Sequence, residues 1–352
     1  MASEKKVVLF ISPLPPPAGG IATWTRRLVE MGLPDDYRIR VVNTRKDENQ
    51  VLGELRRSLR IFLDLYHTLK NHEVDVIHLN TAVAGGGIAR EAICLLIAKL
   101  FKKKVVLHCR CDVKEHIASM RFLWKPFASR LFKNVDSIIN LNKASHIFIR
   151  STYHRESEFV PNFIDNGFYD GLQLIENVSP IVKNILFVGM IIQWKGAGVV
   201  IEAARRLPDL TFHLVGRDVD VLSKIELIPS NITLHGELPY AEVKRMMTEA
   251  DLFLFPSFRE GFPNAVMEAM AVGLPIVATD AGAIPDMIGQ EGGIIVKQGD
   301  VEEVVAAIQM LVHDSNKRQQ MSNYNKMKVR NDYMYDAVTR KYTAIYNKTL
   351  IS

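Results

Sequence analysis

The sequence predicts an α/β protein with two doubly wound domains, each built on a parallel sheet that helices cover on both faces. Three observations support this fold class. The chain has 352 residues, which is more than one hydrophobic core usually serves. Short apolar runs alternate with helical patterns in both halves, as in parallel sheets. The hydrophobic fraction of 48% and the charged fraction of 24% are typical of globular proteins.

The N-terminal half contains five apolar runs of strand length between segments of helical periodicity. The predicted strands are Val7–Ile11, Ile39–Asn43, Val74–Leu79, Val105–His108 and Ser137–Leu141. The predicted helices lie near Ile21–Glu30, Leu52–Lys70, Gly87–Phe101, Met120–Phe132 and Lys143–Arg150. The first apolar run follows charged residues, as in a signal peptide, but it is short and prolines follow it. We therefore predict a first strand and a cytoplasmic protein.

The C-terminal half repeats this scheme and ends in a helix. Its predicted strands are Ile185–Val188, Phe212–Val215, Ile232–His235, Leu252–Phe255, Ile276–Ala278 and Ile294–Val296. The expected domains cover residues 1–165 and 166–332, joined by the segment Val160–Asp165. A final segment, 333–352, carries a helix predicted over Tyr333–Lys348.

The segment Pro256–Pro275 predicts a strand, a loop and a helix that suit a nucleotide sugar. Proline at 256 ends the preceding strand because it has no N–H group to donate. Asn264 is a predicted N-cap, and Gly273 is a predicted left-handed terminator of the helix. The helix N-terminus suits a phosphate. Glu260 in the loop could accept hydrogen bonds from sugar hydroxyls, and Glu268 in the helix could accept one from a ribose.

These two glutamates lie eight positions apart within EGFPNAVMEAMAVGLPIVATDAGAIPDMI. The segment resembles the E-x7-E signature of retaining glycosyltransferases of family 4, which have the GT-B fold. The resemblance implies two Rossmann-like domains that face each other across a cleft. The C-terminal domain would bind the donor and the N-terminal domain the acceptor. Val160–Asp165 resembles the family's VPNGVD-type boundary, and the final helix would cross back to the N-terminal domain. The alternative is an ordinary βα unit with solvated glutamates.

The resemblance also implies specific roles for residues on both halves. His108, Glu260 and Lys195 are the expected catalytic residues. The expected donor-binding residues are Gly19, Gly20, Gly189, Lys195, Gly216, Arg217, His235, Leu238, Glu260, Gly261, Phe262, Pro263, Asn264, Ala265, Val266 and Glu268. Met190 stands where the family has an arginine that contacts the donor diphosphate, whereas Lys195 matches the family's lysine. Arg217 or Arg259 could supply the missing charge.

Two of these expectations have competing interpretations. The Gly19-Gly20 pair before a helix lets backbone N–H groups approach a pyrophosphate, although it could be a simple turn. The absence of G-x-G-x-x-G there argues against an NAD site. His108 ends a strand and could be a packed residue. A metal site formed by His108 with Cys109, Cys111 and His116 would lack a second ligand pair. A second candidate, Asp218-Val219-Asp220, fits a helix N-terminus better than a metal site.

A basic and aromatic segment, MRFLWKPFASRLFK, predicts contact with an anionic membrane surface or an acceptor. Its expected contact residues are Arg121, Trp124, Lys125, Arg130 and Lys133. The segments 56–62 and 95–104 have a similar composition. A core helix with solvated lysines is the alternative. Residues 1–165 hold 26 Lys and Arg against 17 Asp and Glu, a charge of +9, whereas the remainder has 18 against 22, a charge of −4. No nucleic-acid module accompanies the basic half.

Together these patterns predict a retaining glycosyltransferase that needs neither a metal nor another cofactor. It would move a hexose-type sugar from a nucleotide-diphosphate sugar, with UDP favoured over GDP, to a glycan or lipid-linked acceptor in cell-surface polysaccharide or lipopolysaccharide synthesis. Three cysteines do not form a disulfide framework, which favours a reducing compartment. The alternatives are a GT-B epimerase or phosphorylase and a non-catalytic nucleotide-sugar-binding subunit.

Overall fold

The computed structural model describes residues 5–16, 19–34, 36–45, 51–172, 178–219 and 227–352. The chain forms two compact units, one made of Met1–Asn162 and Asp336–Ser352, the other of Phe163–Tyr335. Each unit holds a parallel sheet with helices between its strands, which confirms the predicted fold class. Of the helices that the structure describes, none is both long and apolar enough to span a bilayer.

Six described strands form the sheet of the N-terminal unit. They are β1 (Lys6–Ser12), β2 (Tyr37–Asn43), β3 (Val76–Thr81), β4 (Lys104–Cys109), β5 (Ser137–Asn140) and β6 (Glu158–Phe159). They pair in parallel in the order β2-β1-β3-β4-β5-β6. The connecting helices are α1 (Gly20–Met31), α2 (Val51–Asn71), α3 (Gly85–Leu100), α4 (Val113–Ser119), α5 (Lys125–Asn134) and α6 (Lys143–Tyr153). Every residue of β3 is buried, as expected for a strand covered on both faces.

The C-terminal unit has a second sheet of six described strands. They are β7 (Asn184–Val188), β8 (Thr211–Val215), β9 (Ile232–Gly236), β10 (Leu252–Phe255), β11 (Ile276–Thr279) and β12 (Gly293–Val296). They also pair in parallel, in the order β12-β11-β10-β7-β8-β9. The helices are α7 (Asn166–Tyr169), α8 (Ala197–Arg206), α9 (Tyr240–Glu249), α10 (Asn264–Val272), α11 (Ile284–Ile288), α12 (Val301–His313) and α13 (Ser315–Asp332).

The last helix, α14 (Tyr335–Ile351), lies almost wholly within the N-terminal unit. Its Tyr342 and Tyr346 are fully buried there. The ring centroids of Trp24 and Tyr342 lie 5.8 Å apart, and so do those of His78 and Tyr346. The aromatic face of α14 therefore packs beside α1 and β3 in the core of this unit.

The structure differs from the predicted elements at several places, among them the two-residue strand β6, which was not predicted. The helix predicted over Met120–Phe132 is divided into a 3-10 turn, Phe122–Trp124, and α5, because Pro126 suits only a first helical turn. Helix α4 was not predicted, since it has only seven residues. The predicted N-cap role of Asn264 is wrong: Asn264 is the first residue of α10, and no side chain caps this helix. The left-handed terminator Gly273 is confirmed, with φ of 88°.

Candidate active site

The strand order of the C-terminal unit creates a switch point between β7 and β10. The chain continues from β7 to β8 on one side, and from β10 to β11 on the other. Loops that leave the carboxyl ends of two such strands run in opposite directions, which opens a crevice for ligands. Here the two loops are 189–196 after β7 and 256–263 after β10.

Lys195 and Glu260 meet at this switch point, one from each loop. The Lys195 Nζ donates to Glu260 Oε1 at 2.5 Å, and the two side chains are only 15% and 9% exposed. The same ammonium group lies 4.8 Å from the ring centroid of Trp194 and 5.4 Å from that of Phe255. The pair thus offers a cation for phosphate oxygens and a carboxylate for sugar hydroxyls in a sheltered place, where electrostatic interactions are strong.

Two glycines allow close backbone contacts with the loop 256–263. Gly196 has φ of 78°, and a Cβ atom there would collide with the Pro256 carbonyl group. Gly282 has φ of 56°, and a Cβ atom there would collide with the Glu260 carbonyl group. Both positions combine a left-handed backbone with a close backbone approach, which only glycine accepts readily. The Ala283 amide also donates to the Gly261 carbonyl at 2.9 Å.

Glu268 lies on α10 and is 6% exposed. The hydroxyl group of Tyr240, the first residue of α9, donates to Glu268 Oε1 at 3.0 Å. A buried carboxylate requires such partners because its transfer out of water is costly. The tyrosine was not predicted, since a single tyrosine at a helix start carries no distinctive sequence signal.

The other predicted donor-binding residues of the C-terminal unit lie at or after strand ends. Gly189 follows β7, Gly216 and Arg217 follow β8, and His235 and Leu238 lie at and beyond the end of β9. Gly261, Phe262 and Pro263 lead into α10, which begins with Asn264, Ala265 and Val266. The side chain of Val266 is fully buried. Only its backbone could therefore contact a ligand.

The predicted residues Gly19, Gly20 and His108 belong to the N-terminal unit. Gly19 and Gly20 are exposed at the start of α1, and both line a cavity of about 360 Å³. His108 lies near the end of β4 and is fully buried. The structure therefore places the glycine pair on a cavity wall and the histidine within the core of this unit.

His108 takes part in a hydrogen-bond chain with Arg110, His78 and Tyr346. Arg110 Nη1 lies 3.2 Å from His108 Nε2, and because a guanidinium can only donate, this nitrogen accepts. His108 Nδ1 must then donate to His78 Nε2 at 3.1 Å, which leaves His78 Nδ1 to donate to the Tyr346 hydroxyl at 2.7 Å. Burial and the charge of Arg110 lower the pKa of His78 to about 3 and hold the pKa of His108 well below its ordinary value. Both rings are neutral.

Arg110 is itself held firmly in the N-terminal unit. Its guanidinium carbon lies 4.2 Å from the ring centroid of Trp24, and Nη2 donates to Asn162 Oδ1 at 2.7 Å. Burial lowers the pKa of Arg110 to about 10, so the side chain remains charged at neutral pH. The charge of Arg110 in turn favours the neutral form of His108.

The predicted membrane or acceptor segment lies on the surface of the N-terminal unit. Arg121, Lys125, Arg130 and Lys133 are exposed, whereas Trp124 is half-buried and packs against the core. In the basic segment 56–62 the neighbouring arginines separate. Arg56 is exposed, whereas the side chain of Arg57 is 9% exposed and forms part of a cavity wall.

The candidate metal ligands do not assemble. Among the residues that the structure describes, no group of three or more His, Cys, Asp or Glu side chains is placed to hold a metal ion. Cys109 and Cys111 are buried, and burial raises the pKa of both thiols. Asp218 pairs with Ile191 in an isolated β-bridge, and Asp220 lies outside the described residues.

Comparisons with known proteins agree with this arrangement. Residues 177–328 match the model of the family described as glycosyl transferases group 1. Over 140 residues the chain is 35% identical to the amylovoran biosynthesis glycosyltransferase AmsK of Erwinia amylovora, covering 35% of this chain and 34% of AmsK. Over 317 residues it is 25% identical to an uncharacterized 41.2 kDa protein in the cps region of Klebsiella pneumoniae, covering 82% of this chain and 85% of that protein.

Among solved structures, Anabaena Alr3699/HepE in complex with UDP-glucose has a TM-score of 0.73 and 17% identity, over 97% of this chain and 99% of that one. This similarity shows that the two chains share the GT-B fold. The match to AmsK spans only about a third of that protein, and the match to the family model lies in the C-terminal unit. The family match and the relatives together support a glycosyltransferase with the GT-B fold.

Proposed function

We propose that the protein is a retaining glycosyltransferase that needs no metal ion. It moves a hexose-type sugar from a nucleotide-diphosphate sugar, UDP in preference to GDP, to a glycan or lipid-linked acceptor in cell-surface polysaccharide or lipopolysaccharide synthesis. The observation that carries this proposal is the sheltered Lys195–Glu260 pair at the switch point of the unit that matches the group 1 family. The name of AmsK supports a role in polysaccharide synthesis, and the UDP-glucose complex of HepE supports the choice of nucleotide.

The residues of the C-terminal unit would perform the transfer by electrostatic stabilisation and positioning. Lys195 and the backbone N–H groups at the start of α10 neutralise the leaving diphosphate, as a metal ion does in other enzymes. Glu260 accepts hydrogen bonds from sugar hydroxyls and orients the anomeric carbon. Glu268, held by Tyr240, accepts one from the ribose. The bond from the anomeric carbon to the diphosphate oxygen breaks, and the acceptor oxygen bonds to the same face while its proton passes to the departing diphosphate.

In this proposal the N-terminal unit binds the acceptor, and His108 contacts the transferred sugar. In the structure His108 Nε2 accepts from Arg110, so a sugar hydroxyl that donates to this nitrogen competes with Arg110. The neutral ring is suited to this role because it can accept a proton in a hydrogen bond. His108 is fully buried and contacts both Arg110 and Trp24, so its exposure to a ligand requires local movement of its neighbours.

We further propose that the N-terminal unit docks on the inner face of the cell membrane. Helices α2, α3 and α5 lie side by side in this unit. They and the 3-10 turn present exposed apolar side chains, with Leu55, Leu100 and Phe122 71%, 82% and 76% exposed. The exposed cations Arg121, Lys125, Arg130 and Lys133 lie in the same region. Apolar side chains among cations fit a bilayer with anionic lipids.

Release of UDP from UDP-hexoses, measured with and without oligosaccharide or lipid-linked acceptors, tests the transferase proposal. We expect release to depend on an acceptor and to fall by about 100-fold in Lys195→Ala and in Glu260→Ala. The matched control is Lys183→Ala. Lys183 is an exposed lysine that precedes β7, whereas Lys195 follows it at the opposite edge of the sheet. Unchanged turnover in Glu260→Ala would exclude the proposed role of this residue.

A second function is favoured by one observation, the presence of Met190 on the loop after β7. Its side chain is 40% exposed where the family resemblance predicts an arginine. A non-catalytic nucleotide-sugar-binding subunit would tolerate this loss of charge. It would bind UDP-sugars but release no UDP with any acceptor, and Met190→Arg would not create turnover.

A further inference from the structure

The N-terminal unit contains two adjoining cavities, of about 360 and 660 Å³. The smaller is lined by the Gly19-Gly20 turn, and the larger by Gly85–Gly87 at the start of α3. Both are lined by Arg57, Ala82, Arg90 and Glu91, so these four residues form the shared wall. Pockets of this size accommodate a small organic ligand.

Three arginines from different segments surround the smaller cavity. Arg57 extends from α2 and Arg90 from α3, and their side chains are 9% and 12% exposed. Glu54 bridges them, with Oε1 3.0 Å from Arg57 Nη1 and Oε2 3.9 Å from Arg90 Nη1. Arg45 follows β2, and Arg60 Nη2 donates to its carbonyl group at 3.2 Å. Glu54 therefore holds the guanidinium groups of Arg57 and Arg90 on the wall, and Arg60 holds the backbone of Arg45.

The described lining residues of the two cavities carry a net positive charge. Three of them are arginines, and the acidic ones are Glu54 and Glu91. Glu91 is buried and its Oε2 accepts from the Thr81 hydroxyl group. Burial raises the pKa of Glu91 to about 7, against the opposing effects of Thr81 and Arg90. At neutral pH this carboxyl group thus cancels only part of the remaining positive charge, which favours an anionic ligand.

A buried acceptor in the smaller cavity indicates a second property of the ligand. Asn80 lines this cavity and is 6% exposed. Its Nδ2 donates to Ser12 Oγ at 2.9 Å, but its Oδ1 has no hydrogen-bond partner among the described residues. A buried acceptor without a partner is costly, and a ligand hydroxyl group would satisfy it.

The larger cavity opens toward an apolar surface. Leu55 lines it and is 71% exposed, and along α2 it is followed by the exposed Leu59, Leu63 and Tyr66. A chain that leaves this cavity past Leu55 would therefore lie along apolar side chains. This continuity offers a place for the lipid of a lipid-linked ligand.

We propose that these cavities bind a phosphorylated sugar. Its phosphate or diphosphate contacts Arg45, Arg57 and Arg90, and a sugar hydroxyl donates to Asn80. The inference rests on the proposed function in one respect: the bound sugar phosphate would be the acceptor or its head group. The anion site itself is formed by the N-terminal unit alone, and it can be tested without turnover.

Calorimetric titration of the full chain tests this site with three probes: glucose 1-phosphate, inorganic pyrophosphate and glucose. We expect the two anions to bind at least about tenfold more tightly than glucose. Arg57→Gln, Arg90→Gln and Arg45→Gln should each weaken anion binding by about tenfold or more, because each removes a charge-assisted hydrogen bond. The matched control is Arg56→Gln, which removes an exposed arginine from the same helix and should change the affinity less than about twofold.

Asn80→Ala separates the hydroxyl contact from the anion contact. We expect this variant to bind glucose 1-phosphate more weakly. Its affinity for pyrophosphate should be unchanged, because pyrophosphate has no sugar hydroxyl group. Arg45→Gln keeps the test valid if a more buried variant fails to fold, because Arg45 is only partly buried. Equal binding of all anions by Arg56→Gln and the three cavity variants would overturn the proposal, and so would binding of glucose as tight as that of glucose 1-phosphate.

Farnesyl diphosphate identifies the source of the phosphate. If farnesyl diphosphate binds more tightly than pyrophosphate, and Leu55→Ser abolishes this difference in affinity, the result supports a lipid-linked ligand. Equal binding of the two supports a soluble phosphorylated sugar in the same site. UDP binding, measured in parallel, reports on the C-terminal unit. If the protein binds glucose 1-phosphate but not UDP, the result supports the anion site of the N-terminal unit and contradicts the proposed function.

Discussion

The buried carboxyl group of Glu91 makes a prediction whose size follows from the structure. Burial raises its pKa from the ordinary value of 4.5 to about 7. Because the folded protein holds this proton more tightly than the unfolded chain, the stabilisation is fully present below pH 4.5 and is lost as the pH rises through 7. The difference between the two pKa values corresponds to about 3 kcal/mol, of which about 2.5 kcal/mol is lost between pH 5 and pH 8.

Glu91→Gln removes this dependence because glutamine cannot ionise. Urea unfolding at pH 5 and pH 8 measures it, followed by tryptophan fluorescence, since Trp24 and Trp124 both belong to the N-terminal unit. Other groups titrate as well, including His78, but they do so in both proteins and cancel in the comparison. From pH 5 to pH 8 we expect the variant to gain about 2.5 kcal/mol of stability relative to the wild type.

The matched control is Glu73→Gln, which replaces an exposed glutamate of the same unit and should follow the wild type. Parallel stability changes in Glu91→Gln and the wild type would refute the reasoning. They would mean that Glu91 ionises in the folded protein as it does in the unfolded chain, and that its carboxyl group is fully charged at neutral pH.

Three further predictions concern the proposed donor site and the proposed membrane-docking surface. Gly282→Ala should destabilise the C-terminal unit by about 2 kcal/mol or more in urea unfolding, because a Cβ atom at φ of 56° collides with the Glu260 carbonyl group. Tyr240→Phe should weaken UDP binding by about fivefold, because Glu268 loses a hydrogen bond that fixes its carboxylate. Phe122→Ser should reduce flotation with phosphatidylglycerol vesicles without changing the melting temperature, because this side chain is 76% exposed.

Most of the strands could be predicted because each of them is a short, mainly apolar run, whereas β6, with two exposed residues, was not predicted. In a parallel sheet covered on both faces, every side chain of a central strand is buried, and β3 and β10 show this over their full lengths. Their limits differ from the prediction by two residues or fewer. Helix α4 and the division before Pro126 depend on short-range details that a helical period does not record.

Lys195 and Glu260 could each be proposed from the sequence as donor-site residues, but their contact could not be predicted. Lys195 and Glu260 are 65 positions apart, and they meet only because β7 and β10 are neighbours in the sheet. The two strands are neighbours because of the strand order of the sheet, and this order cannot be predicted from the spacing of residues along the chain. Asn264 shows a local limit: it is a favourable cap residue, yet Pro263 occupies the position before the helix.

The cavity of the N-terminal unit was not predicted at all. Arg45, Arg57 and Arg90 come from three separate segments, and no local pattern connects them. The adjacent pair Arg56 and Arg57 illustrates the physical reason. Successive residues of a helix point in directions about 100° apart, so one arginine faces solvent and the next one the cavity.

Calorimetric titration with UDP, GDP and ADP tests the central claim most directly, that the switch point of the C-terminal unit binds a nucleotide diphosphate. We expect UDP to bind the wild type and Lys183→Ala equally, and to bind Lys195→Ala about tenfold or more weakly, because the variant loses the ammonium group proposed to contact the diphosphate. Equal binding of UDP by all three proteins, or no binding of any of the three nucleotides by the wild type, would contradict the account.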